Sequence, residues 1–305
     1  MTGFTLRARQ SKGGSKTLNN WGMDSEYGVL KDVLLGPPQY YKWLPSNSTA
    51  QRSLRMGYEF NQQFVFEQHA NMAAAYEAAG VQVHRLDGEA HLPYQIYARD
   101  SSVMTPWGAI VSQMSNHWRR GEFAEIIRFY ERQQIPIYDM VTAGSFEGGD
   151  FHIIKPGVVL CGYSGDRTSR PAIDQVSSWF ETEGWEFFAY EFDPFYLHAD
   201  VFFSMLAEGL AAVCVDAVED TFISWLTAHG IEIVNIPFKD AMNNMGCNVV
   251  SLGKERVLLP ESATVLQERC RSHGLEVITV DISMIARGGG SLHCMCQSLH
   301  REPLS

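Results

Sequence analysis

One supersecondary unit returns five times along this chain, and that repeat limits the available folds more than any other feature. Each copy has a helix-like stretch, a Gly or a Gln-rich turn, a short apolar strand, a loop, and a polar residue leading into another strand. The copies read AAYEAAGVQVHRL…YARDSSVM, IIRFYERQQIPIYDM…EGGDFHII, VSSWFETEGWEFFAY…LHADVFFSM, FISWLTAHGIEIVNI…MGCNVVSL and LQERCRSHGLEVITV…LHCMCQSL. Asp100, Asp150, Asp200, Cys247 or Asn248, and Cys294 hold the equivalent positions after the loops, at a period near fifty residues. A period of this size means stacked units sharing one core. Each unit sends its loop to a common centre, so Asp, Glu, His and Cys far apart in sequence become neighbours there.

Helix and strand signals alternate, which makes the class α/β. Five copies closing on themselves give a pseudo-symmetric propeller, a fan of small sheets around a channel; an open doubly wound sheet fits the same alternation. The first strand is expected over 29–36 and the first long helix over 61–79, with Gly80 placed to end it. The same helix–Gly–strand junction recurs at Gly184, Gly230 and Gly274, while the second unit turns through Gln133 and Gln134. Between the first strand and helix lie two dozen polar and aromatic residues, 37–60, without a clear period. That is long for a connection, so the segment is either a lid or a loop packed on the surface.

Length alone, 305 residues, would suggest two domains. The repeats instead make 27–305 one catalytic-sized domain, with residues 1–26 as a flexible tail. The first twenty residues carry four basic side chains and no acid; a tail fits them better than a transit peptide, since no amphipathic face is present. A net charge of −11 argues against nucleic acid or an anionic membrane as partner. No apolar run approaches the roughly 18 residues of a membrane span. Six cysteines without a CxxC pair, several inside strand-like runs, read as reduced thiols in a cytoplasm-like compartment.

His198 and Asp200, two apart in FYLHADVFF, share a face if the segment is a strand. A His beside a carboxylate can exchange protons near neutral pH, or simply hold a structural hydrogen bond. Cys294 follows RGGGSLH, where successive glycines let the backbone approach a ligand closely. It is a candidate nucleophile. Cys296 would lie on the same strand face, and the pattern alone does not choose between the two. Glu147 and Asp150 in SFEGGD join Asp100 and Asp200 as loop carboxylates. Together they suit a planar cation such as guanidinium. Arg119, Arg120 and Arg167 are available at the rim for a substrate carboxylate. His293, Cys294 and Cys296 fit no closed four-ligand zinc pattern, so neither metal nor cofactor is expected.

YARD, FEGGD, LHAD and GGGSLHC, in that order and spacing, resemble the guanidino-group-modifying (pentein) superfamily over about residues 27–303. It holds arginine deiminases, dimethylarginine dimethylaminohydrolases, agmatine deiminases and amidinotransferases. The resemblance implies a five-bladed α/β propeller of ββαβ units. It implies Cys294 as nucleophile, His198 as general acid and base, and Glu147 as the acidic member of the triad. Asp100 and Asp200 would grip the guanidinium; Arg119 and Arg167 would bind the carboxylate of an amino-acid substrate.

The chemistry so implied is attack of Cys294 on the guanidinium carbon, a covalent amidino-thioether, and hydrolysis to a ureido product. The cationic substrate would itself favour the thiolate, so a resting thiol is compatible with activity. FEGGD looks more like the hydrolases than the transferases, which tend to carry Asp in place of Glu147. An amidinotransferase remains the alternative. A non-catalytic propeller binding protein need not keep Cys, His and Glu together, and a papain-like protease does not fit the repeats. The expected partner is a small guanidino substrate, with a homo-oligomer allowed.

Overall fold

A computed structural model of the chain describes residues 21–304. Among them are five three-stranded sheets of one design. In each, the central strand runs antiparallel to one neighbour and parallel to the other. The central strands are Leu30–Leu35, Gly108–Val111, Val158–Tyr163, Leu210–Val213 and Arg256–Pro260. A parallel pair needs a crossover, and a helix supplies it in every blade. These helices are Gln62–Ala78, Glu122–Gln133, Arg170–Thr182, Asp220–Ala228 and Thr264–Ser272.

The local chemistry explains the elements. In Glu122–Gln133 the buried residues are Glu122, Ile126, Phe129 and Tyr130, a single helical face. Asn61 caps Gln62–Ala78 by accepting from Phe64 N. The glycines expected to stop helices take left-handed backbone, as at Gly184 with φ +81°. Gln134 adopts φ 56° and does the same for the second blade, a position where glycine would cost less. The first strand begins at Leu30 rather than 29 and ends at Leu35.

The ring closes by stapling chain ends together. Cys296–Arg301 pairs antiparallel with Leu30–Leu35, Val33 facing Ser298 and Leu34 facing Gln297. Three apolar clusters fill the seams between blades, one running from Leu160 through Phe203 and Ala212 to Val257. Of the expected tail, residues 1–20 lie outside the described residues. Residues 21–26 are packed rather than free. Met23 is buried, Gly22 N donates to Leu299 O, and Glu26 pairs with Arg99 at 2.8 Å. Their partners sit about 75 to 280 positions away, so no local periodicity announces them.

Candidate active site

Three successive blades open on a short 3-10 turn: Ala98–Ser101, Gly148–Asp150 and Ala199–Val201. Each turn carries the repeat-equivalent aspartate to the channel. His198 precedes its turn with extended backbone, so His198 and Asp200 do not share a strand face. The turn, not a strand, places them. Asp150 is spent on the scaffold: its Oδ1 accepts from Ala199 N at 2.9 Å.

His198 is buried between two carboxylates. Its Nε2 is 2.9 Å from Glu147 Oε2, and its Nδ1 is 3.6 Å from Asp100 Oδ1. Gly149 lets the ring sit there, since a Cβ on it would come within 2.7 Å of His198 Nδ1. Glu147 Oε1 is fixed by Ser115 N at 3.0 Å. Burial alone would lower the His198 pKa, but Asp100, Asp150 and Glu147 outweigh it and raise it to about 10. Burial alone would raise Glu147; the His198 bond, with Arg119 and Arg167 behind it, brings it down to about 2. The pair is thus an imidazolium against a carboxylate at neutral pH.

Cys294 lies in a one-turn helix, Leu292–Met295, reached through Gly289 with φ +98°. Cys296 opens the following strand, so the two cysteines do not share a strand face. Cys294 Sγ donates to Asp200 Oδ2 at 3.3 Å and accepts from Asn248 Nδ2 at 3.2 Å. His293 Nδ1 lies 3.0 Å from that same Asp200 Oδ2. Burial, with Asp200 and Asp100 adding to it, pushes the Cys294 thiol well up. Burial would raise Asp200 as well, but His293 and His198 carry it down to about 2. Asp100 Oδ1 and Asp200 Oδ1 are buried without a protein hydrogen-bond partner. Two bare acceptor oxygens beside a thiol and an imidazolium form a receptor for a flat cation with N–H groups.

The two arginines expected at the rim are buried. Arg119 donates Nη1 to Asp100 Oδ2 at 2.6 Å, and Nε and Nη2 to Glu122 at 2.8 and 2.9 Å. Its Nη2 also reaches Tyr97 O. Arg119 therefore orients Asp100. Arg167 makes one such bond, Nη2 to Ser46 O at 2.7 Å, and lines the cavity. Arg120 reaches only Ser115 O from an exposed position.

The cavity has about 320 Å³ of empty space, counting the part open to solvent. Its wall includes Ser46, Asn47, Tyr94, Tyr97, Gly289 and Gly290 besides Asp100, Arg119, Arg167, His198 and Cys294. The 37–60 segment closes over it. Helix Ser48–Arg55 forms there, capped by Asn47, whose Nδ2 donates to Gly288 O at 2.9 Å. Trp43 Nε1 donates to Met284 O and Ser53 Oγ to Arg287 O.

Among the described residues, two groups of metal-ligand type converge to within 4.8 Å: Asp100, Glu147 and His198, and Glu26, His152 and His293. A guanidinium already sits on one carboxylate of each, Arg119 on Asp100 and Arg99 on Glu26. That charge opposes a divalent cation, so the donor sets fit one poorly.

A five-bladed α/β ring with Cys, His and carboxylates converging at its channel defines a class, the guanidino-group-modifying (pentein) enzymes. Within it, residues 42–301 match the model of the eukaryotic N,N dimethylarginine dimethylhydrolase family, and the chain belongs to that family. The uncharacterized protein YkgA of Bacillus subtilis is 28% identical over 91% of this chain and 94% of its own. The N(G),N(G)-dimethylarginine dimethylaminohydrolase of Mycobacterium tuberculosis is 26% identical over 76% of this chain and 75% of its own. In structure, the chain resembles the dimethylarginine dimethylaminohydrolase of Pseudomonas aeruginosa complexed with citrulline. The TM-score is 0.74 at 20% identity, over 88% of this chain and 99% of that one.

Cys294, His198, Asp100, Arg119 and Arg167 thus line one cavity, with Glu147 behind His198 and Asp200 against the Cys294 thiol. Glu122 was not singled out in the sequence, although RRGE puts it three residues after Arg119. Asn248 was legible only as one of two residues in the fourth repeat.

Proposed function

We propose that the protein is a cysteine-dependent hydrolase of the guanidino group of arginine or an N-methylated arginine. The observation that carries this reading is the bare pair of carboxylate oxygens, Asp100 Oδ1 and Asp200 Oδ1, next to the Cys294 thiol and the His198 imidazolium. The activity for which the family and the tuberculosis relative are named supports a methylated arginine as the first substrate to try.

The guanidinium lies flat on the two carboxylates. Its charge favours the Cys294 thiolate, whose proton leaves to solvent. Sulfur attacks the central carbon; an S–C bond forms and the C=N electron pair moves to nitrogen. His198 Nε2 is taken by Glu147, so Nδ1 gives its proton to the departing nitrogen. The amine leaves with the C–N pair, and an amidino-thioether remains. Water then gives one proton to His198 as its oxygen bonds to carbon. The S–C pair returns to sulfur, which recovers a proton as the product oxygen loses its own. One water is consumed; a ureido product results, with an ammonium ion from arginine or a methylated ammonium ion from a methylated arginine. Arg167 takes the substrate carboxylate, and Arg119 serves by holding Asp100.

Purified protein is incubated with dimethylarginine, arginine and agmatine, with and without glycine, and products are weighed by mass spectrometry. A ureido product formed without glycine is expected from an amino-acid substrate, lost in Cys294→Ser and kept in Cys296→Ser. A new guanidino compound formed only with glycine would make the protein an amidinotransferase instead. Turnover surviving Cys294→Ser would end the reading.

A further inference from the structure

Asn248 stands where the fourth repeat presents its channel residue, in the position that Asp100, Asp150 and Asp200 hold in the three blades before it. It is buried, and four contacts define it. Its Oδ1 accepts from His293 N at 2.9 Å. Its Nδ2 donates to Cys294 Sγ and to Asp200 O, both at 3.2 Å. Its main-chain O accepts from Ser291 Oγ at 3.4 Å.

The orientation of the amide follows from these partners. A backbone N–H can only donate, so the atom facing His293 N must be the oxygen. Asp200 O can only accept, so the atom facing it must be the nitrogen. An N–H is therefore directed at the sulfur. On its other side the sulfur faces Asp200 Oδ2, which suits an S–H donor and opposes a bare negative sulfur. Once the thiol proton has gone, Asn248 is the side-chain hydrogen bond to Sγ that strengthens rather than repels. His293 and Ser291, its other holders, both just precede Cys294 in sequence, so amide and sulfur are fixed by the same short stretch of chain.

We propose that Asn248 is a catalytic residue that stabilises the Cys294 thiolate through its side-chain amide N–H. This rests on the reading of Cys294 as nucleophile, and its test needs no substrate.

The test is alkylation of Cys294 by iodoacetamide in the full chain, followed by peptide mass mapping over pH 6 to 11. In that reaction an S–C bond forms, iodide leaves with the electron pair, and the thiol proton goes to solvent. Cys294→Ser supplies the background of the other cysteines. A hydrogen bond to a charged group is worth at least a factor of ten in such an equilibrium. Asn248→Ala is therefore expected to move the rate profile up by about one pH unit, with at least tenfold slower alkylation at pH 8. Should that variant fail to fold, Asn248→Asp takes its place. It keeps the size and the acceptor for His293 N, lacks the donor, and is expected to slow alkylation at least as much. A rate at pH 8 within about twofold of wild type in these variants would overturn the proposal. Loss of guanidino turnover in wild type with the alkylation shift intact would sink the proposed substrate and leave Asn248 standing.

Discussion

Arg119 Nη1 rests 2.6 Å from Asp100 Oδ2, and the remaining edge of the same guanidinium forks onto Glu122. A buried arginine tied to two buried carboxylates holds them by charge and direction at once. Removing it leaves Glu122 without a cation and Asp100 with the His198 imidazolium alone, and breaking a buried pair in this way costs about 3–5 kcal/mol. Arg119→Met is therefore expected to lower urea-unfolding stability by that amount. Arg167→Met, which loses one bond to Ser46 O, is expected to lose no more than about 1–3 kcal/mol and to raise KM for a carboxylate-bearing substrate. Equal stability losses in the two variants would contradict the division of labour.

Asp150 supplies a pH test. Burial raises its pKa to about 7 against the favourable His198 charge and the bonds from Thr168 and Ala199. A carboxyl whose folded pKa lies above its unfolded one contributes stability below the unfolded value, and that contribution is lost as pH rises through about 7. Asp150→Asn keeps an acceptor for Ala199 N and does not ionise. Relative to wild type it is expected to gain thermal stability progressively from about pH 4 to 7 and then hold a constant lead, on the order of a few kcal/mol. Melting curves in parallel buffers measure it. A lead that shrinks with rising pH would reverse the assignment.

The repeat made the ring legible because each blade reuses one helix–turn–strand pattern that can be matched against the others. Asp100, Asp200 and Cys294 were legible for the same reason, at equivalent loop ends, while His198 and Glu147 stood out through the LHAD and FEGGD motifs and the resemblance those carry. What the pattern did not carry was direction. Arg119 and Arg167 look alike in RRGE and GDRT, yet only the first meets a second carboxylate, one helical step away at Glu122. Residues 21–26 show no period because their contacts are made across the ring. A 3-10 turn of three or four residues is too short to register against a strand, so His198 and Asp200 read as neighbours on one face.

The bare oxygens of Asp100 and Asp200 should distinguish charge. 2-Chloroacetamidine carries a planar cation and 2-chloroacetamide does not, with the same electrophilic carbon. The cation is expected to inactivate Cys294 at least tenfold faster relative to its rate with free thiol, because two carboxylates attract it in a buried site. Asp200→Asn should erase most of that preference. Equal normalised rates would show that the cavity does not select a cation.

Closure of the 37–60 segment is held at its tip by Asn47, which caps Ser48–Arg55 and ties it to Gly288 O. Asn47→Ala removes both, and loss of a cap costs about 0.5–2 kcal/mol locally. Faster amide exchange over residues 44–56 is expected, with a higher KM and global unfolding within about 1 kcal/mol of wild type. Exchange unchanged in that segment would mean that Trp43 and Ser53 suffice to hold it.

Gly149 tests the imidazole without touching it chemically. Its missing side chain is what the ring of His198 occupies, since a Cβ there would lie 2.7 Å from Nδ1 and 2.8 Å from Cγ. Both are closer than carbon packs in folded proteins, so the ring must move in Gly149→Ala. The freedom to move is small, because Nε2 is fixed by Glu147 at 2.9 Å. Nδ1, the atom that the new Cβ would meet most closely, is displaced most. Proton transfer tolerates little misplacement, and a shift of about 1 Å can cost on the order of a hundredfold. Gly149→Ala is expected to lower kcat by about that factor while iodoacetamide still alkylates Cys294 at a near wild-type rate. A variant that turns over normally would place the acid elsewhere than on His198 Nδ1.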